Sequence, residues 1–102
     1  MIMVPTLHID KVDSSLYLAR LLDGEVEMGE PSAHGTIAEA LVNAGEAVPK
    51  NLAAFVEVWY VDVSIGMHTL ARLKTDADGL AHQLVALAAA VRDAEEELQR
   101  SP

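Results

Sequence analysis

One row of apolar residues constrains this chain more than any other feature. Leu52, Val56, Trp59, Val63, Gly66, Leu70, Leu73, Ala77, Leu80, Leu84, Leu87, Val91, Ala94 and Leu98 follow one another at alternating steps of four and three. No position in the row carries a charged or polar side chain. A repeat of 3.5 residues sustained this far is the pattern of a long helix packed along its length. The first half of the row is rich in residues that usually fill strands, among them Phe55, Val56, Val58, Trp59, Tyr60 and Val61. Glu57 interrupts one period-two face there and Asp62 and Ser64 the other, whereas the four-three row passes all three by. The row predicts a helix over 49–99, opened by Pro49, whose missing N–H costs nothing in a first turn. Its seam is Val56, Trp59, Val63, Leu70, Leu73, Leu80, Leu84 and Leu87. At 1.5 Å per residue such a rod measures about 75 Å, too long to stand without a partner along its length. The alternative is a turn at Asp76–Gly79, within "KTDADGLAHQL", giving a hairpin of 49–74 and 78–98. A turn need not keep the phase of the row, and the phase is kept, which favours the continuous helix.

A second row, Ala54, Val58, Val61 and Ile65, lies on the other side of the first half of this helix. A helix apolar on both sides is buried on both sides. The second row is therefore the expected partner-binding or dimer face.

Ahead of the long helix, "VDSSLYLARLLDG" reads as a short helix over 13–23, capped by Asp13 or Ser14 and stopped by Gly24. Residues 25–35 form an acidic loop. Thr36 and Glu39 stand at capping-box spacing before an apolar run, which predicts a helix over 36–47. Residues 1–12 are left undecided. The expected architecture is one all-α domain over 1–102, a helical hairpin completed into a four-helix-type bundle on dimerisation.

Composition narrows the function. A net charge of −9 in 102 residues repels nucleic acid phosphates and suits a basic protein partner. The absence of cysteine excludes disulfides and thiolate metal sites. No basic, long apolar leader opens the sequence, so the chain is expected in the cytosol, with any export by a route independent of a signal peptide. Glu57 and Asp62 interrupt the most apolar stretch, so no membrane span is expected. No nucleophile elbow, Gly-rich phosphate loop or complete calcium loop is present. His68 and His82 are 14 positions apart, roughly 21 Å along a helix, too far to share a metal. The expectation is a non-enzymatic protein with no cofactor, no metal and no catalytic residues.

The segment "AFVEVWYVDVSIGMHTLARLKTDADGLAHQLVALAAAVRDAEEEL", with "HGTIAEAL" before it, resembles the WxG-type, EspC-like small helical proteins of ESX (type VII) secretion. The likeness lies in Phe55 and Trp59, in "ADGLA" at 77–81 and in the acidic end. It implies a helical hairpin that pairs with itself or with a second small helical protein, as a secretion substrate or targeting partner. The W-x-G turn itself is absent, because Tyr60 and Val61 follow Trp59. Of the family's C-terminal export signal only the acid has a counterpart, Glu95, since Val91 stands where the tyrosine belongs. The competing expectation is a cytosolic acidic regulator, such as an antitoxin or immunity protein, that binds a basic protein.

Overall fold

The structure, a computed structural model, describes residues 3–100. It is mixed α/β and not all-α. In chain order the elements are β1 (Thr6–Asp13), β2 (Leu16–Asp23), β3 (Val26–Glu27), β4 (Ser32–His34), α1 (Ile37–Ala47), β5 (Phe55–Tyr60), β6 (Val63–Thr69), α2 (Leu70–Thr75) and α3 (Ala77–Arg100). The strands form one sheet in the order β3-β2-β1-β5-β6, with β4 also pairing with β2. Strands β1 and β5 are parallel and every other pair is antiparallel.

The expected helix at 13–23 is the return arm of a β-hairpin. Ser14 and Ser15 make the turn, where the Asp13 carboxylate accepts from the Ser14 N–H at 2.6 Å. Tyr17, Ala19 and Leu21 of β2 face inward, while Leu16, Leu18, Arg20 and Leu22 face outward. Apolar residues on both faces erase the alternation that marks a strand, and "LYLARLL" then passes for a helix.

The first third of the expected long helix is a second hairpin, so the predicted rod and helical hairpin do not exist. Val56, Val58 and Tyr60 alternate inward along β5, Val61 and Asp62 turn the chain, and Val63 starts β6 opposite Tyr60. The seven-residue step from Val56 to Val63 imitates a heptad because two period-two strands and a two-residue loop happen to add up to it. From Leu70 onward the row is genuinely helical. Leu70, Leu73, Ala77, Leu80 and Leu84 are buried, and Ala88 and Val91 pack against the same core. Asp76 breaks the helix into α2 and α3, its N–H bonding to the Arg72 carbonyl and its carboxylate lying 3.6 Å from the Arg72 guanidinium. Leu87, at the far end of the seam, is on the exposed side of α3.

Helix α1 spans Ile37–Ala47, with the Thr36 hydroxyl accepting from the Glu39 N–H at 3.1 Å and the Glu39 carboxylate accepting from the Gly35 N–H at 3.1 Å. This reciprocal pairing satisfies amides that a helix start leaves orphaned. Ile37, Ala40, Leu41 and Ala44 form the buried side of α1. They meet Leu7 and Ile9 of β1, the inward residues of β5, and Leu73, Leu80 and Leu84 in one core. All three helices lie on a single face of the sheet, making a two-layer sandwich.

Candidate protein-binding face

A single helical layer leaves the other face of the sheet uncovered. Its composition follows from the strand registers, because residues directly opposite one another share a face. One row across the sheet is Glu27, Leu22, Thr6, Glu57 and Met67, and the next is Arg20, His8, Trp59 and Ser64. Beyond these lie Phe55 beside Thr69 at one end, and Leu18 beside Asp10 with Leu16 at the other. None of these side chains belongs to the hydrophobic core. Phe55 is 42% exposed and Met67 61% exposed.

The middle of this face is ordered by contacts within it. The His8 and Trp59 rings stack with centroids 6.0 Å apart and planes 10° from parallel. The Trp59 Nε1–H donates to the Glu57 carboxylate at 2.8 Å, which helps hold the indole in place. On the other side of His8 the Arg20 guanidinium donates to the Asp10 carboxylate at 3.2 Å. Arg20 Nε is shielded from water and has no acceptor. Trp, Phe, Met and Arg in one patch are the residue types enriched in the centres of protein interfaces.

The free edge of the sheet is less inviting. Strand β6 carries an extra residue, Ile65, in a bulge opposite Val58 and Trp59. The Gly66 N–H donates to the Ser64 hydroxyl at 3.0 Å, and the His68 ring hydrogen-bonds the Ile65 carbonyl at 2.9 Å. A bulged edge with backbone groups tied to its own side chains is poorly suited to adding a strand. The face is more open to a partner than this edge.

The expected dimer row is dispersed by the fold. Val58 is fully buried in the centre of β5, Val61 sits in the β5–β6 turn, Ala54 precedes β5, and Ile65 occupies the bulge and packs on the core. They form no common surface, because rows drawn for a 3.6-residue helix scatter across a strand. Of the seam residues only Trp59 lies on the uncovered face. Glu95 projects from the exposed C-terminal end of α3. Leu16, Leu18, Leu22, Arg20, His8 and Met67 were missed as site residues. The available signal was the excess of Leu on both faces of β2 once that segment is read as a strand.

One other polar cluster stands out. Ser32 Oγ and His34 Nε2 are 2.8 Å apart at the mouth of a cleft of about 400 Å³ between α1 and β2, and Asn43 Nδ2 donates to Ser32 at 3.4 Å. Residues two apart on a strand lie side by side by geometry alone. No hydrogen bond among the described residues orients the other nitrogen of His34, so the arrangement lacks the third group of an activated nucleophile. Its visible work is to tie β4 to α1.

Among the described residues no cluster of His, Asp and Glu is placed to hold a metal, and no helix is long and apolar enough to cross a membrane. Comparison with family models, with curated proteins and with solved structures finds no match to this chain.

Proposed function

We propose that this chain is a non-enzymatic protein-binding module that engages another protein surface through the open face of its sheet. The observation that carries the reading is the ordered patch of His8, Trp59, Phe55 and Met67 on a face that no described element covers. Large apolar side chains exposed together with a polar surround mark interaction sites in folded proteins. The charge of −9 repels the phosphates of nucleic acid, which favours a protein as the occupant. The acidic residues Asp23, Glu25, Glu27 and Glu30, in and beside the β2–β3 turn, stand at one end of the sheet and would form the charged rim of such a contact. The secretion reading rested on a helical hairpin that the chain does not form.

A photoreactive side chain placed at Phe55 or Met67, and separately at His82 on the helical layer, tests this in producing cells. Adducts are expected from Phe55 and Met67 and not from His82. Adducts confined to His82, or none at any position, would sink the reading.

A further inference from the structure

We infer that the occupant of this face is a second copy of the same chain, seated face to face about a two-fold axis running along β1. This rests on the protein-binding reading and names the partner. The argument begins with how charge is distributed about β1. Arg20 lies on β2, to one side of His8, while Glu57 and Trp59 lie on β5, to the other. Rotation by 180° about an in-plane axis along β1 lays β5 of one copy over β2 of the other. The Arg20 guanidinium of each copy then meets the Trp59 ring of its mate, with the Glu57 carboxylate that holds this ring one row away, twice over. Guanidinium over indole, with a carboxylate beside it, is a favourable pairing. The Arg20–Trp59 contact is thus reciprocal, and on the axis each Asp10 stays paired with its own Arg20.

Two further observations agree. The sheet edge at β6 is interrupted by its bulge and by the Ser64 and His68 bonds, which disfavours the competing arrangement of one continuous sheet through two β6 edges. The size suits a weak dimer. Strands β1, β2, β5 and β6, about 4.8 Å apart and about 24 Å long on average, give roughly 460 Å² of plan area per copy, before side-chain relief. Doubled, that falls in the range of transient interfaces, which lie below about 1,200 Å². Two such sheets would pack about 10 Å apart with strands turned by about 30°, which keeps the central rows in contact.

The test uses the single tryptophan and a pair of charge changes. Light scattering on a sizing column over a hundredfold concentration range should give a dimer for the wild type. Trp59 emission should shift to the red, and acrylamide quenching should rise, as dilution dissociates it. Arg20→Glu alone opposes two carboxylates at each contact, and Glu57→Arg alone opposes two guanidinium groups. Each variant should raise the dimer dissociation constant at least a hundredfold while keeping a wild-type circular dichroism spectrum. The two mixed should recover a one-to-one dimer, because each now supplies what the other lacks. A wild type that is monomeric throughout overturns the proposal, as do folded single variants that dimerise like the wild type. Should either charge change fail to fold, the Trp59 dilution series on the unaltered chain still decides. Photo-adducts from Met67 to a different protein, with a monomeric wild type, would overturn the second copy and leave the protein-binding reading standing.

Discussion

At the scale of single residues, Val61 is the clearest strained position. It has φ of 55° in the first place of the two-residue β5–β6 loop, where glycine is the usual occupant of a tight hairpin. A β-branched side chain there costs about 1–2 kcal/mol. Val61→Gly is expected to raise stability by about 1 kcal/mol net of glycine's entropy, and the Tm by about 4–8 °C in a domain of this size, read by thermal unfolding. Three residues earlier the same kind of side chain behaves in the opposite way. Val58 is fully buried, so Val58→Asp strands a charge with no partner and should cost more than about 4 kcal/mol, leaving no cooperative transition. Tyr60 adds a pH dependence. Burial first, then repulsion from the neighbouring Tyr17 phenol, push the Tyr60 pKa above its ordinary 10.0, with Arg92 opposing. The neutral phenol is therefore favoured by the fold, and its contribution is complete below pH 10. It is lost as pH climbs from there through the raised folded-state value. Tyr60→Phe should flatten that alkaline limb in a titration of stability against pH.

At the scale of elements, Gly45 shows why α1 and α2 can lie so close. A Cβ at this position would come 2.8 Å from Lys74 Cγ, 2.9 Å from the Leu70 carbonyl and 3.3 Å from Leu73 Cβ. Helix propensity favours alanine by about 1 kcal/mol. The backbone oxygen cannot swing aside as a lysine tail can, so the clash should win. Gly45→Ala is expected to destabilise by about 1–3 kcal/mol, measured by denaturant unfolding. Elements also explain which parts of the fold were legible. The α1 start was visible because its signal is local, a hydroxyl and a carboxylate three positions apart. The helical phase from Leu70 to Val91 was visible because one side of that segment is buried against the sheet. Strands β2 and β5 were not, because Leu18, Leu22, Phe55 and Trp59 put apolar groups on the side that faces away from the core. The feature that hid the strands is the feature that makes the open face a candidate site.

At the scale of the whole molecule, α3 outruns the layer it covers. Its 24 residues span about 36 Å, whereas the strands beneath span about 25 Å. Val91 is the last of its residues to pack on the core, and Leu98 is 76% exposed. Removal of residues 93–102 should lower stability by less than about 1 kcal/mol, because residues 93–100 are all exposed and the cut takes acidic Glu95 and Glu96 from near a helix C-terminus. Sizing of the truncated chain should still give a dimer if the sheet face holds it, since that face lies on the other side of the molecule.

By itself the sequence determined the local devices: the Thr36–Glu39 cap, the amphipathic course of the final helix and the acidic balance. These depend on residues within a turn or two of one another. Only the tertiary structure decided that β5 passes parallel to β1 from some fifty positions away. The same pairing decided that Val58 belongs in the core and that His8, Arg20, Glu57 and Trp59 share one face. Strand partners are chosen by contacts distant along the chain, and which side of a strand meets water depends on where the helices land. An apolar residue on the uncovered side cannot be told from a core residue until the second layer is in place.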